Sequence, residues 1–433
     1  MNDTQKNVLK NKNYILLFLG ALVSHVGAHI YNFSVSFYIL DITNKNAFIQ
    51  GIYLAVSGIV FVIFSPIGGV LADRWNKVII IYLTDFIRGI TVLLAALFIY
   101  LTLKSDHENL QLVILFIVAI LFNMVAAIFS PATSSLIKYI VDENQLQQAN
   151  SYMGSMDSLV GIIGILIAGV LYATIPFYLW FIIIGILYLL SGLSEMFIRY
   201  QYVKNENPLT LKFIINDFKE GLIYLMTKKV LLFLIIGALF ANFFVTPVFN
   251  SLSYFIKVYV EGQSYLFDDY IKPEFWASLI SISVSLGSIV AGIIFGSRKQ
   301  KEKFAKTIIL GFLLISFVFI LMALSFIIFI EIMNNQVSFY LISLLILMVI
   351  CGVSMVLVNI PIATYRYKTV DHNKLAKVNS LMAIGSQGLI PLASFLGGVI
   401  LSTLGYAFLL SFSAIGILAT SIFLAVNKQV RTI

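Results

Sequence analysis

Twelve long apolar stretches constrain this chain more than any other feature. They cover 14–40, 47–72, 78–102, 110–137, 148–173, 177–200, 230–257, 275–297, 305–330, 337–363, 378–402 and 404–426. A helix needs about 20 such residues to cross the hydrocarbon core of a bilayer. Helix is the required form, because backbone groups in lipid must find their partners within the segment. Hydrophobic residues make up 60% of the 433 residues and charged residues 11%. Soluble domains have about 45–50% and about 25%. Soluble enzymes, nucleic-acid binders and disordered scaffolds are excluded on these grounds. The first stretch is too long for a secretory signal core and lacks a small-residue cleavage site. Cys351 is the one cysteine, so no internal disulfide can form.

Lys and Arg orient the spans. With the N-terminus in the cytoplasm, 23 of the 28 basic residues fall on inner segments. Only Lys45, Lys104, Lys257 and Lys272 fall outside, and Arg88 lies within a span. Both termini are therefore expected in the cytoplasm, in a multi-pass protein of the cell membrane. The net charge of +8 is a topology signal and does not require nucleic acid.

The longest inner connection separates six spans from six. The expected division is an N-terminal half, 1–200, a linker, 201–229, and a C-terminal half, 230–433. Within the linker, 208–226 carries Leu209, Phe213, Phe218, Leu222 and Leu225 among Lys212, Asp217, Lys219 and Glu220. It reads as an amphipathic helix on the inner membrane surface, or as a plain solvated linker. The halves echo each other. Leu16-Leu17-Phe18-Leu19 opens span one and Leu231-Leu232-Phe233-Leu234 opens span seven. Pro131 precedes Asn150-Ser151 by 19 residues, and Pro361 precedes Asn379-Ser380 by 18. A duplicated six-helix unit is a recurrent transporter design.

The short inner loop after span two reads Gly68-Gly69-Val70-Leu71-Ala72-Asp73-Arg74-Trp75-Asn76-Lys77. It resembles the G-x-L-A-D-R-x-G-R-K signature of the major facilitator superfamily. Gly69, Leu71, Asp73 and Arg74 match, Lys77 keeps a basic position, and Asn76 replaces a glycine. Asn tolerates left-handed backbone, so that turn can survive. Gly69 is expected to permit close helix approach. Asp73 is expected to satisfy amides at a helix start and to pair with a cation, forming an inner-gate latch. A topogenic basic loop is the alternative. The matching loop at 292–301 has Gly296 in place of the aspartate, so any latch is asymmetric.

Further residues are similar to the macrolide-efflux and siderophore-exporter branch: Ser24, Gly27 and Thr43; Asp85-Phe86-Ile87-Arg88; Ala149-Asn150-Ser151; and Phe218-Lys219-Glu220-Gly221-Leu222-Ile223-Tyr224. The resemblance implies an all-α polytopic fold of two pseudo-symmetric six-helix bundles. It also implies export of a small amphiphilic compound by alternating access. The sequence departs from the branch at Ala28, where many members carry an acid. It also lacks the proline of the antiporter G-P-x-x-G-G motif, keeping only Gly164 and Gly169.

A charge at the bilayer centre costs roughly 2.5–3.5 kcal/mol on insertion scales, so each one needs a reason. Asp157 has no cation three or four residues away. It is the first candidate for a proton site, with neutralisation by another helix as the alternative. Asp85 and Arg88, three apart, face the same way, either as an internal ion pair or as part of proton coupling. Glu195 and Arg199, four apart, read as a structural pair. His25, His29, Asn32 and Ser36 form one polar stripe on span one. His29 joins the proton-coupling candidates, and His25 and Asn32 the substrate-cavity candidates. Asn242, Thr246, Asn250 and Ser253 make a stripe on span seven, and Ser278, Ser281, Ser285 and Ser288 another on span eight. Asn242, Thr246, Ser281 and Ser285 are cavity candidates, because such stripes either line a wet cavity or join helices.

No G-x-x-x-x-G-K-[ST] or H-E-x-x-H motif occurs, so no ATP site, cofactor or metal is expected. The expected partners are an amphiphilic small molecule, protons and membrane lipid, with the protein a monomer. Uptake or lysolipid translocation on the same fold is the alternative, and a membrane-embedded enzyme has less support.

Overall fold

The structure, a computed structural model, describes residues 7–103, 108–202, 211–297, 304–371 and 375–433. Among these residues the regular structure is helical. The helices are α1 (Lys12–Ile42), α2 (Ala47–Arg74), α3 (Lys77–Thr102), α4 (Glu108–Ile140), α5 (Leu146–Thr174) and α6 (Phe177–Glu195). After the connection come α7 (Leu211–Thr227), α8 (Lys229–Asn250), the short α9 (Leu252–Phe255), α10 (Pro273–Ser297) and α11 (Phe304–Phe326). The chain ends with α12 (Val337–Thr369), α13 (Leu375–Gln387), α14 (Ile390–Thr403) and α15 (Tyr406–Val426). Twelve helices are long and apolar enough to cross a membrane, as the sequence predicts. The protein is a multi-pass membrane protein.

Span eleven differs from expectation. The stretch expected to run continuously over 378–402 is split into α13 and α14 around Gly388 and Leu389. Pro391 follows in the first turn of α14. Proline has no N–H to donate and is tolerated in the first turn of a helix but not in its interior, so the break falls just before it. By contrast, Pro131 and Pro361 both lie inside helices, α4 and α12. Two segments depart toward π-helix, Ile256–Val260 after α9 and Ile327–Ile332 after α11.

The described chain forms two compact units. One comprises Met1–Asn44 and Val56–Asn207, the other Lys45–Ala55 and Pro208–Ile433. The first turns of α2 thus group with the second unit. In both units apolar side chains pack between the helices, yet others face outward while several polar ones are enclosed. Ile63, Leu101, Ile293 and Ile415 stand exposed, while Ser24, Asp85, Ser191, Glu195, Ser354 and Ser413 are buried. Lipid can solvate the outward apolar side chains, and small and polar residues add to the apolar packing where helices approach closely. In the second unit α10 and α12 cross at Gly287 and Gly352. A methyl group added at either would overlap a backbone carbonyl, of Val349 or Val284 respectively.

Several basic residues lie outside the described residues: Lys6, Lys104, Lys204, Arg298, Lys299, Lys301, Lys303 and Lys374. So does 208–210, the start of the amphipathic linker segment, although α7 is a helix from Leu211. At its far end Tyr224 reaches Asp371, which follows α12.

Candidate functional site

The polar centre of the first unit is built on glycine. α3 and α6 approach at Gly89 and Gly185, where an added Cβ would lie 3.0 or 3.1 Å from the opposing carbonyl oxygen. This contact turns Asp85 and Arg88 of α3 toward Tyr188, Ser191 and Glu195 of α6. Arg88 donates to Asp85 Oδ1 at 3.2 Å, and both side chains are sealed from solvent. Ser24 of α1 donates to Asp85 Oδ2. Its oxygen also lies 2.9 Å from Ser191 Oγ, which donates to the Gly20 carbonyl at 2.8 Å. Arg88 stacks against Phe129 at 4.5 Å and Tyr188 at 5.4 Å from the ring centroids. Such contacts are worth about 2 kcal/mol when desolvated.

The expected Glu195–Arg199 pair does not form. α6 ends at Glu195, so the four-residue spacing no longer places both on one helical face. Arg199 is exposed, and its backbone N–H donates to Asn13 instead. Glu195 turns inward and is fully buried, and among the described residues neither carboxyl oxygen has a hydrogen-bond partner. It fills the space left by Gly20, where an added Cβ would lie 2.7 Å from Glu195 Cγ and Oε1.

Asp157 is also not the unpaired carboxyl expected from its helix. Its Oδ1 lies 2.7 Å from Nδ1 of His25 on α1. A partner on another helix is invisible to spacing within one helix. This pair is open, with side chains 35% and 55% exposed for His25 and Asp157. His29 lies one turn further along α1, packed on Gly161 and Gly164 of α5. Asn32 is exposed beyond it. The unit thus brings together an open His25–Asp157 pair and a sealed Asp85–Arg88–Glu195 cluster.

In the second unit the stripe of α8 joins helices. Asn242 donates to the Ser386 carbonyl at 2.9 Å, and Asn250 donates to Ser394 Oγ at 3.0 Å. Thr246 is half-buried between them. On α10, Ser281 donates to Ala277 of its own helix, Ser288 also reaches Gly352, and Ser285 is half-buried.

Lys257, counted above as a loop cation, belongs to the π-helical end of span seven and is buried. It pairs with Glu274 at 2.9 Å and Glu261 at 3.3 Å, and Lys45 pairs with Glu261 at 3.0 Å. Gln50 donates to Ser253 beside this network at 2.7 Å. Burial tends to raise the Glu261 carboxyl, but the two lysines outweigh it and hold it below its ordinary range.

The Asp-Arg loop also differs in detail. Asn76 is not left-handed; its φ is −61° and ψ 112°, and its side chain caps α3 at Val78 and Ile79. The helix-start amides assigned to Asp73 in this turn are thus met by Asn76. Asp73 lies in the last turn of α2, with its side chain outside the described part. Among the described residues nothing lies within 4 Å of a Cβ added at Gly69, so they make no close approach there. The close approach falls to Gly68, packed on the Ala127 backbone. The turn is held from the other side. Tyr200 accepts from the Lys77 backbone at 2.9 Å, and Tyr202 donates to the Arg74 carbonyl. Lys77 is buried over the Tyr139 ring.

Comparison with known proteins bears on this arrangement. The family profile described as Major Facilitator Superfamily matches residues 17–394. The uncharacterized MFS-type transporter YkuC of Bacillus subtilis (strain 168) is 27% identical over 313 residues, covering 70% of this chain and 69% of the relative. Macrolide efflux protein A of Streptococcus pyogenes is 20% identical over 290 residues, covering 67% of each. Among solved structures, a bacterial homologue of the iron transporter ferroportin in an inward-facing state superposes with a TM-score of 0.70 at 13% identity, covering 97% of this chain and 99% of that one. The nucleoside transporter NupG (D323A mutant) gives 0.72 at 12%, covering 95% and 99%. At these identities the structural likeness shows the fold alone.

Proposed function

The chain belongs to the Major Facilitator Superfamily, and from that premise we propose that it exports a small amphiphilic compound in exchange for protons, by alternating access. The observation that carries the coupling is the His25–Asp157 pair at 2.7 Å. An imidazole and a carboxylate facing each other within the spans form a charge-assisted pair through which a proton can be shared. Neither side chain is enclosed by the protein, at 35% and 55% exposed, which leaves the pair open to exchange. The distant macrolide efflux relatives support export and an amphiphilic substrate. Both termini would then lie in the cytoplasm and the protein in the cell membrane, acting as a monomer and as a carrier rather than an enzyme. The inner-gate role of Gly69, Asp73, Arg74 and Lys77 rests on the motif. Asn32, Asn242, Thr246, Ser281 and Ser285 are the side chains we would test first for substrate contact.

Proton release from energised inside-out vesicles, challenged with macrolides, lipophilic dyes, catecholate siderophores and lysolipids, tests this reading. A substrate-triggered proton leak is expected, and Asp157→Asn should abolish it while the protein stays in the membrane. Unchanged proton-driven transport by that variant would remove Asp157 from the scheme. Silence toward every compound from well-expressed protein would instead redirect the search to uptake.

A further inference from the structure

Two carboxylates and one guanidinium are sealed together in the first unit. Arg88 is committed to Asp85 at 3.2 Å. Among the described residues Glu195, equally buried, has no hydrogen-bond partner on either oxygen. An isolated carboxylate in such surroundings is so costly that the group takes up a proton instead. The groups facing it compensate only in part: the Arg88 charge and the nearby Ser191 hydroxyl favour the carboxylate, and the Asp85 charge opposes it. From α3 come Asp85, an acid, and Arg88, whose Nε and second terminal nitrogen have no hydrogen-bond partner. From α1 come Ser24 and His25, the latter already bound to Asp157. α6 itself contributes Ser191 and Tyr188, and the Tyr188 hydroxyl is also without a hydrogen-bond partner.

The hydroxyls connect the two acids. Ser24 touches both Asp85 and Ser191, and Ser191 stands one helical turn before Glu195 on the same face of α6. We propose that Glu195 carries a second exchangeable proton, and that Ser191 and Ser24 relay it to Asp85. In that step the Glu195 O–H bond breaks and its proton goes to Ser191 Oγ. The Ser191 proton passes to Ser24 Oγ, and the Ser24 proton to Asp85 Oδ2. Each hydroxyl gains one proton and gives one. Glu195 ends as a carboxylate and Asp85 as an acid, so Arg88 exchanges Asp85 for Glu195 as its ionic partner. One proton thus changes which helix Arg88 is tied to, α3 itself or α6. The inference deepens the proton-coupling reading by adding a site remote in kind from the open His25–Asp157 pair.

Infrared spectroscopy of the purified full-length protein in lipid, without substrate, tests it. The wild type should show a protonated carboxyl C=O band that persists above the pH at which exposed carboxyls ionise, and that shifts in D2O. Labelling the aspartate carboxyls with 13C should leave that band in place, assigning it to glutamate. Glu195→Gln should remove it. Asp85→Asn should weaken or remove it, because Arg88 is then free to pair with Glu195 as a carboxylate. A wild-type spectrum without such a band, or a band carried by aspartate, would overturn the proposal with no variant needed. A band untouched by Glu195→Gln would overturn it too. Because no substrate is present, a vesicle experiment without coupled export would leave this site standing, and an absent band would leave the His25–Asp157 reading intact.

Discussion

Asn76 works at the turn between α2 and α3 through its side chain. It accepts from the amides of Val78 and Ile79, in extended backbone that any residue can adopt. Asn76→Ala should therefore cost about 1 kcal/mol, the ordinary value of a lost N-cap, and Asn76→Asp close to nothing. Thermal unfolding of the purified protein in detergent checks this. Equal losses for both variants would mean that the cap contributes nothing. The same scale explains why the partners of Glu195 and Asp157 escape sequence reasoning. The i,i+4 rule needs both residues inside one helix, and α6 stops at Glu195. Asp157 has its imidazole on α1, 132 positions away in the chain. By contrast Asp85 and Arg88 share α3, and their three-residue spacing does put them within 3.2 Å.

Between elements, the close approaches are made by backbone against backbone. At Gly352 an added methyl would overlap the Val284 carbonyl of α10, which is main chain and cannot swing aside. Gly352→Ala should destabilise the protein by about 1–3 kcal/mol, the usual penalty for overpacking. Gly154→Ala is the control, because nothing lies within 4 Å of its added Cβ. It should be neutral or gain up to about 1 kcal/mol from helix propensity. Comparable thermal shifts for the two would show that the α10–α12 crossing is not tightly packed. Which glycines matter was only partly legible. The loop motif points to Gly69, yet Gly68 makes the contact, since one residue along a helix turns the Cβ by about 100°. The break between α13 and α14 was signalled by Gly388 and Pro391, but hydropathy alone runs through it.

Across the whole molecule, the distribution of Lys and Arg predicts that both ends lie in the cytoplasm. Cys351 is the one cysteine and is buried, so its replacement by serine gives a background for labelling. In that background Lys428→Cys should react with a membrane-impermeant maleimide only in inside-out vesicles, and Gln263→Cys only in intact cells. Both positions are exposed. The reverse pattern would invert the topology and with it the direction of export.

The count of spans and the all-helical class were written in the sequence, because lipid imposes a length and an apolar composition on every crossing segment. The superfamily was legible in a match that includes Gly69, Leu71, Asp73 and Arg74, within one loop. What the tertiary structure alone decided is the pairing of polar groups. His25 meets Asp157, Lys257 meets Glu274, and Glu195 packs at Gly20 with no hydrogen-bond partner on its oxygens among the described residues. Hydropathy records that a charge must be excluded from lipid. It does not record which of the facing helices supplies the partner, because that depends on where glycines such as Gly20, Gly89 and Gly185 let the helices close.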